Sequence, residues 1–328
     1  MSWLAYRVEE TENGFEANWQ EQQDDQLPEG EVLIEVQYSS VNFKDALLAH
    51  GNKGVTREYP HTPGIDAAGT VISDNSGQFQ AGQEVVVFGY DLGMNTCGGY
   101  GQRIRVPAKW VLTKPSSLSL ADSMAWGTAG FTAALSVEKL LLNGATPEAG
   151  SIVVTGASGG VGSVAVAILA KLGFEVLAVT GKPESSEWLK DLGAKEIIAR
   201  DDLMAFAGKP VAKPIYQGAV DTVGGDVIAA LLPQILPNGS VTTCGMVAGV
   251  KFSASVFPFI LRGVNLLGID SVEIALTHKQ SVLNKAASEW ALPELAKLTT
   301  EIDRDELPEV LSQVYSGKGK GRYVVNLK

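Results

Sequence analysis

"VVTGASGGVGSVAVAILAKLG", residues 153–173, runs from an apolar strand through a glycine-rich turn into an apolar helix. A turn this tight, and a backbone that must approach a pyrophosphate, both call for residues without Cβ, here Gly156, Gly159, Gly160 and Gly162. The helix N-terminus then offers free N–H groups and the positive end of its dipole to the phosphates. The spacing reads GxxGGxG rather than GxGxxG. Strand before, helix after and a further array of the same kind make it a dinucleotide loop rather than a bare turn.

Outward from the loop, strand-like and helix-like segments alternate: "FEVLAVTG" (174–181), "ESSEWLKDLGA" (184–194), "KEIIA" (195–199), "GAVDTVGG" (218–225), "DVIAALLPQILP" (226–237), "GSVTTCGM" (239–246) and "NLLGIDS" (265–271). Near-continuous apolar strands separated by helices predict a parallel sheet covered on both faces. Upstream, "SLADSMAWGTAGFTAALSVEKLLLNG" (119–144) has helical spacing, with Ser119 as N-cap and Gly144 as stop. The first 115 residues read instead as short strands broken by turns, among them "EVLIEVQYSSV" (31–41), "AAGTVISDNSG" (67–77), "AGQEVVVFGY" (81–90), "GGYGQRIRVP" (98–107) and "WVLTKP" (110–115). The tail carries helix-like stretches at 275–298 and 306–321, and then "RYVVNLK" (322–328), a strand that must pair with the N-terminal module or a sheet edge. The expected fold class is α/β, with a β-rich domain at 1–122 completed by 273–328 and a doubly wound domain at 123–272.

With 26 basic and 37 acidic residues the formal charge is −11, which argues against a protein that works by neutralising nucleic acid or anionic lipid. Two cysteines, Cys97 and Cys244, stand far apart and in no ligand-like spacing. The N-terminus lacks the pattern of a secretory signal and no apolar run reaches membrane length. A soluble cytoplasmic protein is expected.

Folds that prefer NAD place a carboxylate at the end of the second strand to hold the ribose 2′-OH. Here that strand ends in Thr180, Gly181 and Lys182, with Arg200 after the next strand. A hydroxyl and cations suit a 2′-phosphate, so the expected cofactor is NADPH.

In order and over the whole chain, "VNFKDALL" (41–48), "PHTPGIDAAGTV" (60–71), "GTAGFTAAL" (127–135), "VVTGASGGVGS" (153–163), "DTVGG" (221–225) and "FPFILRGVNLLGIDSV" (257–272) resemble the zinc-independent quinone oxidoreductase branch of the medium-chain dehydrogenase/reductase superfamily. Within it, "GTAGFTA" and "PFILRGVNLLGIDSV" are most similar to the acrylyl-CoA reductase subfamily. The resemblance implies a GroES-like catalytic domain plus a Rossmann domain. It assigns Ser158, Gly159, Gly160 and Val161 to the pyrophosphate, and Thr180, Gly181, Lys182 and Arg200 to the 2′-phosphate. Phe43, Met246, Ile260, Ser271 and Arg322 are carried over as further cofactor contacts. Metal-dependent relatives place a zinc-ligating Cys at Asn42 and a His within "GID" (64–66), and the three histidines and two cysteines present form no ligand set, so no metal is expected.

Without a metal to polarise an alcohol, reduction of an electron-poor alkene or quinone is the natural reaction. The resemblance implies hydride transfer to the β-carbon of acrylyl-CoA. Asn42, Lys44 and Asp45 are the candidate catalytic residues, with Tyr90 as an outer choice, and a helix is expected to start near Asp45. The rivals are an NADPH:quinone oxidoreductase and a non-catalytic NADPH-binding protein. By analogy, and because "NLLGIDS" is an apolar strand suited to a sheet edge, a homodimer is expected.

Overall fold

The computed structural model describes residues 2–293 and 295–328. In chain order it contains β1 (Trp3–Thr11), β2 (Gly14–Gln22), β3 (Val32–Ser40), α1 (Phe43–Ala49), β4 (Asp66–Asp74), β5 (Glu84–Phe88), β6 (Arg103–Val106), β7 (Val111–Thr113) and α2 (Leu120–Leu142). Then come β8 (Ser151–Val154), α3 (Gly160–Lys171), β9 (Val176–Thr180), α4 (Ser186–Asp191), β10 (Glu196–Ala199), α5 (Arg200–Met204), β11 (Tyr216–Asp221), α6 (Asp226–Leu231), β12 (Ile235–Thr243), α7 (Phe257–Arg262) and β13 (Asn265–Gly268). The tail adds α8 (Leu276–Ala286), α9 (Leu295–Leu298), β14 (Thr299–Asp303), α10 (Leu307–Tyr315) and β15 (Arg322–Asn326). Two compact units result. One takes the described residues up to Thr128 with Val272–Glu289 and Leu295–Lys328, and the other takes Ala129–Ser271 with the short segment that starts at Trp290.

The second unit is built on a six-stranded sheet in the order β10-β9-β8-β11-β12-β13, every pair parallel. The strands are apolar runs because helices cover both faces: every residue of β9 and β11 is buried. The chain leaves β8 toward β9 on one side and later returns to β11 on the other. Such a reversal opens a crevice at the carboxyl ends of β8 and β11, where ligands of this architecture bind. The glycine loop sits there, between β8 and α3.

In the first unit β3 pairs with β4, β6 and β15 inside a seven-stranded mixed sheet. Val32, Ile34 and Val36 of β3 share one core with Leu307, Val310 and Leu311 of α10 and with Val325 and Leu327. The last 30 residues therefore complete the N-terminal module's core, each buried aliphatic side chain contributing about 1.5–3 kcal/mol. As expected, the final strand pairs with the N-terminal module.

Four features depart from the sequence reading. The β1–β2 hairpin was not expected, because β2 is largely solvent-facing and rich in Glu and Gln. The short polar β14, parallel to β15, was also missed. The helix expected over 275–298 is broken into α8 and α9, and Glu294 within that stretch lies outside the described residues. The 119–144 helix forms over Leu120–Leu142 but breaks at Gly127, with φ 45° and ψ −161°. Among the described residues no helix is long and apolar enough to cross a membrane.

Candidate functional site

Two loci collect the residues singled out above, one in each unit. In the second unit, Gly156 turns the chain at φ 58°, and a Cβ there would lie 2.5 Å from Thr222 Oγ1. A Cβ on Gly162 would lie 2.3 Å from the Gly156 carbonyl oxygen, so this glycine lets α3 close onto the loop. The N-cap of α3 is Gly159, which brings no capping side chain, and the helical ladder begins only with Ser163 N–H donating to the Gly159 carbonyl. The N–H groups of the first turn, at Gly160, Val161 and Gly162, are thereby presented at the positive end of the helix dipole. That is a cradle for an anion.

Thr180, at the end of β9, is buried and shares a 3.2 Å hydrogen bond with Ser158 Oγ. Its hydroxyl oxygen also accepts from Lys182 N–H at 3.1 Å. Beyond it opens a cavity of about 620 Å³ whose lining includes Thr180, Gly181, Ser186, Lys190, Lys195 and Arg200. Arg200 lies across Gly181: a Cβ on Gly181 would be 3.2 Å from Arg200 Cζ. Lys182 is partly buried, which lowers its pKa against the opposing pull of Glu184. Ser158, Thr180, Gly181, Lys182 and Arg200 therefore come together.

The remaining residues of this unit are spread out. Met246 follows β12 and is half exposed, Ile260 on α7 is exposed, and Ser271 Oγ accepts a 2.9 Å hydrogen bond from Thr132 Oγ1. Met246 and Ile260 are thus not core residues. Sequence reasoning missed Asp221, a buried carboxylate that accepts from Thr155 Oγ1, Gly224 N–H and Thr243 Oγ1, tying together the strand ends around the loop. "DTVGG" carried that signal.

In the first unit, Asn42 is the N-cap of α1 and Asp45 its third residue, joined in a reciprocal capping box. Asp45 accepts from Asn42 N–H at 2.9 Å, Gly64 N–H at 3.0 Å and Ile65 N–H at 2.9 Å, with no exposed surface. The helix begins at Phe43, two residues earlier than expected, because Asn42 takes the cap. With both oxygens committed to backbone donors, Asp45 holds the α1 entry in place; the expectation that it acts directly on substrate gives way to that role.

Asn42 Nδ2 donates to Asp66 Oδ2 at 2.8 Å and lies 3.4 Å from Ser40 Oγ. Asp66 also accepts from Ser40 Oγ, from Thr128 N–H at 3.0 Å and from Thr128 Oγ1 at 2.5 Å. Arg322, expected as a cofactor contact, is 1% exposed and donates inward. Its Nε meets the Ala125 carbonyl at 3.0 Å, Nη1 the Val41 carbonyl and Asn42 Oδ1 at 3.2 and 3.4 Å, and Nη2 Ser40 Oγ and the Met124 carbonyl at 2.8 and 3.4 Å. Tyr100 OH donates to the Ser40 carbonyl at 3.2 Å. Sequence reasoning missed Ser40, Asp66, Tyr100 and Thr128.

Phe43 and Lys44 are part-buried in the first turn of α1, and Lys44 Nζ lies 3.5 Å from Met94 Sδ. Tyr90 adopts φ 52°, rare for a bulky residue, and is held there by a stack on Trp110, by Lys279 Nζ 3.5 Å from its ring centre and by donation to the Ile274 carbonyl. Elsewhere in this unit, Lys53 pairs with Glu10 and Arg103 with Asp24.

Among the shifted groups of this unit, Asp45 and His61 are the two whose titration falls between about pH 4 and 7. Burial, helped by the Asp66 charge, pushes Asp45 up to about 7 against the pull of its three backbone donors. Burial, with Arg7 nearby, pushes His61 down to about 4. Folded Asp45 keeps a proton that the unfolded chain has lost, so its contribution to stability falls as pH rises from about 4 to about 7. His61 acts oppositely: the unfolded chain takes up a proton that the folded one refuses, so its contribution rises with pH between about 4 and 6.5. The two slopes offset. In His61→Gln the urea midpoint should decline steadily from about pH 4.5 to 7 while the wild type stays flatter; parallel profiles would contradict the assignment.

The family described as "Alcohol dehydrogenase GroES-like domain" matches residues 28–116 and that described as "Zinc-binding dehydrogenase" matches residues 160–288. Acrylyl-CoA reductase AcuI of Ruegeria pomeroyi is 43% identical over 92% of this chain and 91% of its own. YhfP of Bacillus subtilis, provisionally named a quinone oxidoreductase, is 44% identical over 92% of both chains, and its structure with NAD bound superposes with a TM-score of 0.96 over 100% of both. The yhdH oxidoreductase of Salmonella enterica, solved in complex with NADP, matches with a TM-score of 0.96 at 40% identity, over 99% of this chain and 100% of that one. Zinc does not fit the residues present. Among the described residues no three His, Cys, Asp or Glu side chains gather, and Asp66, the carboxylate beside Asn42, has its oxygens filled by donors with the Arg322 guanidinium 3.9 Å away.

Proposed function

The chain belongs to the medium-chain dehydrogenase/reductase superfamily of oxidoreductases, and from that premise we propose that it uses NADPH to reduce the activated C=C bond of acrylyl-CoA to propionyl-CoA. The observation that carries this reading is the Asn42–Asp66–Arg322 cluster. Its residues do not fit a metal ion, since the Asp66 oxygens are filled by donors beside a guanidinium, and that favours an alkene already activated by a carbonyl. Likeness to an acrylyl-CoA reductase, at 43% identity over 92% of this chain, supports a thioester as the group that activates the alkene.

The cradle fits the cofactor. First-turn N–H groups of α3, with Ser158, Gly159, Gly160 and Val161, would hold the pyrophosphate, while Thr180, Gly181, Lys182 and Arg200 would hold the 2′-phosphate. Phe43, Met246, Ile260 and Ser271 are assigned to its remaining length. When bound, NADPH supplies a hydride. As the substrate β-carbon accepts it, the C=C electron pair shifts toward the α-carbon and the thioester oxygen, giving an enolate. Asn42 has one Nδ2 hydrogen engaged by Asp66; the other, only loosely held by Ser40 at 3.4 Å, donates to the enolate oxygen. Lys44, whose ammonium faces a thioether rather than a carboxylate, returns the proton to the α-carbon. Asn42→Ala should lower kcat by about 10²-fold, the usual effect of losing one oxyanion donor, with NADPH affinity little changed.

The test follows NADPH consumption with acrylyl-CoA, crotonyl-CoA and 1,4-benzoquinone in parallel, repeated with NADH. Turnover of acrylyl-CoA with NADPH supports the proposal. Reduction of the quinone alone replaces it with an NADPH:quinone oxidoreductase, the reading favoured by the YhfP likeness.

We also propose that the protein is a homodimer. β13 is an edge strand of the parallel sheet, and α7 just before it exposes Phe257 and Leu261 at 44% and 67%, an apolar surface suited to a second copy. Sedimentation at micromolar concentration should give twice the chain mass, and Leu261→Arg should give the monomer; a monomeric wild type rejects the assignment.

A further inference from the structure

We propose that Arg322 and Asp66 are positioning residues that set the Asn42 amide, and that Arg322 reaches the reaction through Asn42 rather than by touching the cofactor; this rests on the reading that Asn42 donates to the substrate oxygen. A guanidinium has five N–H donors. Those of Arg322 meet five acceptors, all inside the first unit: three backbone carbonyls, Asn42 Oδ1 and Ser40 Oγ. No donor is left over for a phosphate or a ribose.

The same count fixes the amide. Asp66 can only accept and Arg322 can only donate, so Asn42 must turn Nδ2 to the carboxylate and Oδ1 to the guanidinium. A flipped amide would set acceptor against acceptor and donor against donor in a site with almost no solvent. The chain also spends backbone on this arrangement. Gly127 breaks α2 so that Thr128 can give Asp66 both its N–H and its hydroxyl, which satisfies a carboxylate that would otherwise be buried at high cost. By drawing electron density from Asn42 Oδ1, the Arg322 charge also makes the Nδ2 hydrogens better donors.

The test is a double-mutant cycle between Arg322→Lys and Asn42→Ala. Lysine keeps the charge but cannot span five acceptors. In Arg322→Lys, kcat should fall about 30-fold while the NADPH dissociation constant, read by fluorescence, moves by less than about 2-fold. On the Asn42→Ala background the same change should cost less than about 2-fold in kcat, because the group it positions is gone. A rise of about 10-fold in the NADPH dissociation constant with kcat at saturation unchanged makes Arg322 a cofactor contact. Multiplying losses make the two residues independent; either result overturns the proposal.

Should Arg322→Lys fail to fold, Thr128→Val removes one hydroxyl donor to Asp66 from a part-buried position. It should lower kcat several-fold, be rescued by Thr128→Ser and vanish on the Asn42→Ala background. If the wild type ignores acrylyl-CoA but reduces the quinone, the thioester reading fails while the cycle runs on the quinone. A readout needing no turnover is the side-chain amide resonance of Asn42, identified by its loss in Asn42→Ala. It should shift in Arg322→Lys, and an unmoved resonance contradicts the coupling.

Discussion

Gly127→Ala should destabilise the protein by about 3–5 kcal/mol, from backbone strain of about 1–3 kcal/mol plus the disruption of a buried charge network. At φ 45° and ψ −161° the backbone lies near territory that essentially only glycine occupies. The methyl would meet Asp66 Oδ2 at 2.6 Å, Ser40 Oγ at 2.7 Å and Arg322 Nη2 at 2.9 Å. None of these can retreat. Asp66 and Arg322 are fully buried and each is fixed by several hydrogen bonds, so relief for one contact breaks others. Turnover should fall by more than about 10²-fold, since Asn42 loses both partners that orient its amide. Gly268→Ala is the control: its added Cβ meets nothing within 4 Å and its φ is ordinary, so urea unfolding should move by less than about 0.5 kcal/mol. If Gly127→Ala unfolds within about 1 kcal/mol of the wild type, the break in α2 is not held by this network.

That prediction rests on something the sequence concealed. A glycine inside an otherwise helical pattern reads as tolerated, at about 1 kcal/mol against alanine. What makes Gly127 obligatory is Asp66, 61 residues upstream, and Arg322, 195 residues downstream, meeting at its Cα. No local rule reports such a meeting. The glycine loop was legible for the opposite reason. Its steric demands, Gly162 against the Gly156 carbonyl and Gly156 against Thr222, arise where a strand turns into a helix, and that junction is written in contiguous residues. The apolar strands β8, β9 and β11 were legible because both of their faces are buried. β2 was not, since it exposes Glu16, Asn18 and Glu21 and buries none of its hydrophobic side chains fully. Around Asn42, the residue itself was found, while its place as the cap of α1, together with Ser40, Asp66 and Thr128, was missed. A buried polar side chain is indistinguishable from a surface one until its partner is known, and here the partners come from β3, β4, α2 and β15.

Gly181→Asp should reverse the cofactor preference. The new Cβ would stand 3.2 Å from Arg200 Cζ and 3.3 Å from its Nη1, and φ at Gly181 is not in the left-handed region, so the backbone accepts a side chain. The carboxylate would then pair with the Arg200 guanidinium. Two changes follow at once. The 2′-phosphate loses a charge-assisted partner, about 1.5–3 kcal/mol, and meets a like charge a few ångströms away, about 1–2 kcal/mol more at a partly solvated site. Together these predict a loss of about 10²- to several 10³-fold in kcat/KM with NADPH. With NADH the same carboxylate can accept from the free ribose 2′-OH, as in folds selective for NAD, so kcat/KM should hold or rise. Arg200→Gln separates the two effects: it removes the cation without adding the anion, and should weaken NADPH by about 10–150-fold and leave NADH unchanged. The measurement is kcat/KM for both cofactors in the three proteins. A Gly181→Asp variant that still prefers NADPH would move the 2′-phosphate away from Arg200. The remaining cations at the cavity, Lys190 and Lys195, would then be the next to test, because they already pair with Glu187 and Glu175 and could bind phosphate only by giving those partners up.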